Sequence, residues 1–118
     1  MKAKRVLVVE DEMLLALSLE DILNDMGIET VGPAMHLEEA LALAETDPLD
    51  FAILDINLGG TARSYPVAKR LLERNVPFLF MSGYGDAGVG GEFASVPVLG
   101  KPASPELVAD AVRRGLNQ

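Results

Sequence analysis

Five side chains, far apart in the chain, have the types to do chemistry together. Glu10 and Asp11 follow the apolar run Arg5–Val9 (RVLVV). Asp55 follows Phe51–Leu54 (FAIL), Ser82 follows Val76–Met81 (VPFLFM), and Lys101 comes one glycine after Val96–Leu99 (VPVL). Three carboxylates held together repel one another, and one is forced to keep its proton unless a cation intervenes. Carboxylates with a backbone carbonyl and waters suit Mg²⁺. Lys101 is a second positive group, able to meet an anion, and the Ser82 hydroxyl can donate to the same anion. Such a set suits phosphoryl transfer. In such a transfer Asp55 would be the nucleophile that becomes an aspartyl phosphate, and Mg²⁺ and Lys101 would offset charge on the phosphoryl oxygens. The bland alternative is an unused acidic rim, with Asp55 merely ending its strand before a turn.

The five residues meet only if the runs before them lie side by side. A short apolar run such as FAIL fits a strand buried on both faces, although the run alone does not exclude a helix. The surrounding pattern favours strands. After Arg5–Val9, apolar residues recur at helical spacing from Met13: Leu15, Leu19, Ile22, Leu23 and Met26, with Gly27 placed to end the helix. A weaker strand is predicted over Ile28–Val31, breaking at Gly32-Pro33, then an alanine-rich helix over Leu37–Thr46. Pro66 suits the first turn of a third helix, capped by Ser64 or Tyr65. A further helix is expected over Asp86–Phe93. It contains Gly88, Gly90 and Gly91, each costing roughly 1 kcal/mol against alanine, so it should be short, distorted or mobile. Ser104 and Pro105 open the last helix.

Strand and helix therefore alternate five times with short connections. The prediction is a doubly wound α/β domain over 1–118, with a five-stranded parallel sheet in the order 2-1-3-4-5. Ligands bind such sheets at the carboxyl ends of the strands, and those ends carry Glu10, Asp11, Asp55, Ser82 and Lys101.

Composition narrows the function. The chain has 118 residues, 49% of them hydrophobic, enough for one core and too apolar for disorder. It contains no cysteine, which removes disulfides, thiolate metal sites and thiol nucleophiles. His36 lies in an unrelated loop, so zinc is disfavoured. Net charge is −8, from 10 basic and 18 acidic residues, which argues against direct nucleic-acid binding. The basic opening MKAKR precedes only a short apolar run and then acids, too little for a signal peptide. No apolar stretch approaches the roughly 18–20 residues of a membrane span. A cytoplasmic protein is expected.

With these segments in view, the sequence resembles the receiver domain of bacterial two-component response regulators. VLVVEDE (6–12), ILDINLGG (53–60), FMSGYG (80–85) and LGKP (99–102) match its signature segments in order and spacing, across the whole chain. The resemblance implies a flavodoxin-like (βα)5 fold and an Asp55 that takes phosphate from a histidine kinase or phosphotransfer protein. It implies that Asp11, the Asp55 carboxylate and the Asn57 backbone carbonyl bind Mg²⁺. Glu10 then supports the ion through water, its extra length leaving direct contact open. Ser82 and Lys101 bind and report the phosphoryl group, and the Lys101–Pro102 peptide is cis. An unidentified protein reads the output, and a homodimer is an option.

Two departures stand out. Val98 occupies the place of the aromatic switch residue usual three before the lysine. Tyr84 either takes over part of that role or is a surface tyrosine. PFLFMSGYG is also similar to the subfamily whose fourth strand ends Phe-Ala-Thr-Gly-Tyr, common among alphaproteobacterial single-domain regulators. The glycine-rich stretch after it suggests that phosphorylation orders residues 83–93. No output domain is expected after the last helix, unless a longer regulator carries one. Two competing readings are a pseudo-receiver scaffold that never takes phosphate and a haloacid-dehalogenase-like phosphatase. The second needs an acid where this chain has Asn57.

Overall fold

Three of the apolar runs are buried residue after residue, an arrangement that requires a strand covered on both faces. The computed structural model describes residues 3–59, 62–83 and 91–117. Its strands are β1 (Arg5–Val9), β2 (Glu29–Ala34), β3 (Phe51–Asp55), β4 (Phe78–Ser82) and β5 (Val98–Gly100). Its helices are α1 (Met13–Asp25), α2 (Leu37–Thr46), α3 (Tyr65–Glu73) and α4 (Pro105–Leu116). All neighbouring strands are parallel, in the order β2-β1-β3-β4-β5. The predicted order is the observed one.

Each face of the sheet has its own core. Leu7, Val9, Ala52, Leu54 and Phe80 face Ala40 and Ala44 of α2 and Val67, Ala68 and Leu71 of α3. Val6, Val8, Phe51, Ile53, Leu79 and Met81 face Leu19 and Leu23 of α1 and Val108 and Val112 of α4. The alternation along β3 is the period of two that sends successive side chains to opposite faces. It continues past the strand, since Ile56 and Leu58 join the first core. At the amino edge of the sheet, Arg5 ties the strands together. Its backbone N–H donates to Asp50 Oδ2 (2.8 Å), and its guanidinium binds the Pro48 carbonyl, Asp47 and Glu29.

Local signals place most element ends. Gly27, at φ 75°, follows α1 as expected. Ser104 Oγ accepts from the Leu107 N–H (3.2 Å) to cap α4. Ser64 sits at the start of α3, yet its side chain makes no capping bond. Its ψ of 5° is not the extended geometry of a capping residue. Its N–H instead donates to the Ile56 carbonyl (3.0 Å), closing the loop after β3.

β2 differs from its prediction. It does not break at Gly32-Pro33 but runs through to Ala34. Leu7 pairs with Val31 and Val9 with Ala34, so two residues of β2 stand opposite one of β1, as in a bulge. β2 is an edge strand, where proline's missing N–H is tolerated. Gly32 has φ 95°, and a β-carbon there would meet the Ala34 nitrogen at 2.6 Å. The Gly32–Pro33 peptide is cis. Of the helix expected over Asp86–Phe93, residues 86–90 lie outside the described residues. Gly91–Phe93 form a short 3₁₀ turn.

α4 rests on the sheet through a glycine. A β-carbon at Gly115 would fall 2.1 Å from Cε1 of the buried Phe51 ring. Alanine normally improves a helix over glycine by about 1 kcal/mol. Here overpacking outweighs that gain, so Gly115→Ala should destabilise by about 1–2 kcal/mol net. Chemical denaturation of the two proteins checks this, and a more stable variant would contradict the packing.

Candidate functional site

The strand registers bring the chemical residues together. Val9 pairs with Leu54, so Glu10 and Asp55 come next to each other as both strands leave the sheet. Asp55 itself pairs with Met81, and Ser82 with Gly100. The bulge in β2 contributes too, because the Ala34 carbonyl it carries forward accepts the Glu10 N–H (3.0 Å). Glu10 is fully buried, Asp55 and Ser82 are each 3% exposed, and Asp11 is half-buried.

Lys101 enters this cluster from the end of β5. Its N–H donates to the Ser82 carbonyl (2.9 Å), which fixes the backbone. Its Nζ donates to Asp55 Oδ2 (3.0 Å) and Glu10 Oε2 (3.3 Å). The Lys101–Pro102 peptide is cis, as the resemblance implies. Asp55 Oδ1 accepts the Asn57 N–H (3.2 Å), and Glu10 Oε2 accepts the Glu12 N–H (3.1 Å). Past Asp55 the chain folds back on itself, with Asn57 opposite Arg63 in an isolated antiparallel bridge. Its bonds run from Ser64 N–H to Ile56 O and from Leu58 N–H to Ala62 O. The bridge therefore uses neither of Asn57's own backbone groups.

The donor set fits a hard divalent cation. Glu10, Asp11 and Asp55 each offer a carboxylate oxygen, and these atoms lie within 4.8 Å of one another. Glu10 Oε1 is buried and within ion-pair distance of Lys101 Nζ (3.2 Å), yet it has no hydrogen-bond partner among the described residues. One lysine cannot offset three carboxylates. The loop leaves little room beside Asp11, since a β-carbon at Gly59 would stand 3.3 Å from Asp11 Oδ2.

Electrostatics reflect this crowding. Burial, then repulsion from Asp55, push the Glu10 carboxyl up to about 7. Burial pulls Lys101 down, but the hydrogen bond and charge of Asp55 and the charge of Glu10 outweigh it, so its net shift is upward.

Asn57 is half-buried beside this set. Tyr84 lies outside the described residues, as does most of 83–93. Val98 is half-buried against the first core. Sequence reasoning passed over an aromatic group behind β4. Tyr65 stacks on Phe93 (5.8 Å between centroids, 14° between planes) and meets Phe80 edge-on (5.9 Å). The alternating Phe78 and Phe80 were its only signal. The Asn57–Arg63 bridge had none.

The family model for the response regulator receiver domain matches residues 6–113. The chain belongs to that family. It is 38% identical over 72 residues to the transcriptional regulatory protein PdtaR of Mycobacterium tuberculosis, across 58% of this chain and 35% of PdtaR. It is 29% identical to the phyllosphere-induced regulator PhyR of Methylorubrum extorquens, over 97% of this chain and 44% of PhyR. The receiver thus spans about a third to under half of these curated relatives. The solution structure of SdrG from Sphingomonas melonis Fr1 superposes with TM-score 0.84 at 41% identity, covering 98% of this chain and 99% of SdrG. SdrG has also been solved in a BeF3-activated conformation (TM-score 0.79, 42% identity, covering 98% of this chain and 99% of that chain). Receivers are signalling domains and not classic enzymes. The phosphatase reading places its nucleophile on the first strand, whereas Asp55 ends β3, in the middle of the sheet.

Glu10 has a consequence for stability. Its ordinary value is 4.5 and its folded value about 7. Between these the folded receiver holds a proton that the unfolded chain releases, so stability falls as pH rises through that window. Without metal, melting should drop by several degrees from pH 5 to 8, about 1–2 kcal/mol, and Glu10→Gln should flatten the slope. A melting temperature that rises with pH over this range in the unsubstituted receiver would contradict it.

Proposed function

We propose that this receiver is a phosphorylation-switched signalling module in which Asp55 accepts a phosphoryl group from a histidine kinase or phosphotransfer protein. One observation carries the reading. Lys101 Nζ bridges the buried Asp55 and Glu10 beside Asp11, at the carboxyl edge of a parallel sheet. A carboxylate, a cation and an acidic cluster within one small volume support a nucleophile at Asp55 with Lys101 meeting the incoming oxygens. The BeF3-activated form of the related SdrG supports the same reading.

In this reaction an Asp55 carboxylate oxygen attacks the phosphorus of a phosphohistidine. The P–N bond breaks, and imidazole leaves with its electron pair. Lys101 exchanges its bond to Asp55 for one to the new phosphoryl oxygens, and the Ser82 hydroxyl donates to another. Asp11, the Asp55 carboxylate and the Asn57 backbone carbonyl would hold Mg²⁺, with Glu10 acting through water. The ion supplies positive charge that offsets the phosphoryl oxygens. Ser82 and Lys101 then report the new charge to the surface, and a protein partner reads it. Tyr84 is proposed as part of that report.

A cytoplasmic setting fits this chemistry, and among the described residues no helix is long and apolar enough to cross a membrane. A net charge of −8 makes a protein partner a better fit than nucleic acid.

Incubation with acetyl phosphate and Mg²⁺ should add one phosphoryl group by intact mass, and Asp55→Asn or omission of metal should abolish the gain. A gain that persists in Asp55→Asn would place the chemistry elsewhere. Failure of both acetyl phosphate and a phosphohistidine donor to label the protein would favour a scaffold that never takes phosphate.

A further inference from the structure

We propose that Arg63 is a specificity-determining residue that gathers dianionic phosphodonors at the mouth of the Asp55 site. The proposal rests on the phosphoacceptor reading above. Side chains alternate along 52–58: Ala52, Leu54, Ile56 and Leu58 enter the first core, and Phe51 and Ile53 the second. Asp55 and Asn57 therefore share the other face, away from Ile56 and Leu58. Arg63 stands opposite Asn57 in the antiparallel bridge, and paired residues in such a bridge present their side chains on the same face. Its neighbours confirm the sense. Ala62 packs against the first core and Ser64 is fully buried, so Arg63 between them turns outward, on the side of Asp55 and Asn57. It is exposed, and its Nη1 rests on the Ala62 carbonyl (3.1 Å).

Charge explains why such a residue matters here. The protein is strongly acidic, and the Asp55 site is lined by carboxylates. A small dianion approaching Asp55 meets net repulsion. Lys101 sets one positive charge against three carboxylates. A guanidinium on the rim lowers that barrier, because it can pair with two phosphoryl oxygens at once. The effect is electrostatic and scales with donor charge. The reaction it favours is transfer from an acyl phosphate. An Asp55 oxygen bonds to phosphorus, the P–O bond to the acyl group breaks, and the carboxylate leaves with the electron pair.

Donor charge gives the test. Acetyl phosphate is a dianion near neutral pH, while phosphoramidate carries about one net negative charge. Phosphorylation rates of Arg63→Ala, Arg63→Lys and the unsubstituted receiver are measured with each donor at low and high salt. Arg63→Ala should slow transfer from acetyl phosphate roughly three- to fivefold at low salt, and transfer from phosphoramidate roughly twofold or less. Arg63→Lys should restore most of the rate, and high salt should narrow the gap. A merely structural role would slow both donors equally, which would overturn the proposal, as would an unchanged acetyl phosphate rate in Arg63→Ala. An unsubstituted receiver labelled by a phosphohistidine donor but by neither of these would overturn this proposal alone, and one labelled by none of the three would overturn the underlying reading with it.

Discussion

Too much negative charge meets at one edge of this sheet, and the architecture around it turns on how that charge is held. Glu10 and Asp55 are buried side by side with Asp11 close by, and the only described cation within hydrogen-bond distance of either buried carboxylate is Lys101. Desolvation and mutual repulsion leave the Glu10 carboxyl at about 7, a cost that an isolated acidic rim would have no reason to carry. These donors suit a divalent ion, and in the proposed reaction a phosphoryl group joins it.

The sheet is the device that makes such crowding sustainable. Apolar residues cover β1, β3 and β4 on both faces, so the strand ends that carry the charges cannot easily move apart. The bulge at Gly32 and Pro33 lets β2 bring the Ala34 carbonyl to the Glu10 N–H, which holds the most strained acid from behind. On the far side of β4, the Tyr65, Phe80 and Phe93 rings pack against one another. Ser82 ends the same strand that carries Phe80. In the proposed switch, Ser82 would thus lie close to a packed aromatic group that joins β4 to α3 and the 91–93 turn. Val98, half-buried on β5, offers no ring for that purpose.

Much of this was legible in the chain itself. Runs such as RVLVV and FAIL can be satisfied only by burial, and the acids, serine or lysine that follow each run mark where burial stops. With five strands alternating with helices, right-handed crossovers leave few orders, and the strand ends must share an edge. The sequence by itself thus determined the fold class and pointed to the strand order and to the residues that share one sheet edge, because these depend on local pattern and on the few orders such sheets adopt. Tertiary structure decided the rest. Gly32-Pro33 reads locally as a stop, and only its place on an edge strand makes it a bulge. Ser64 reads as a cap, yet its N–H is committed to Ile56. Arg63 reads as an ordinary loop cation until the bridge sets it across from Asn57. In each case the outcome depends on a partner distant in space or on which side of a strand is open to solvent, and neither is encoded in the residue's immediate neighbours.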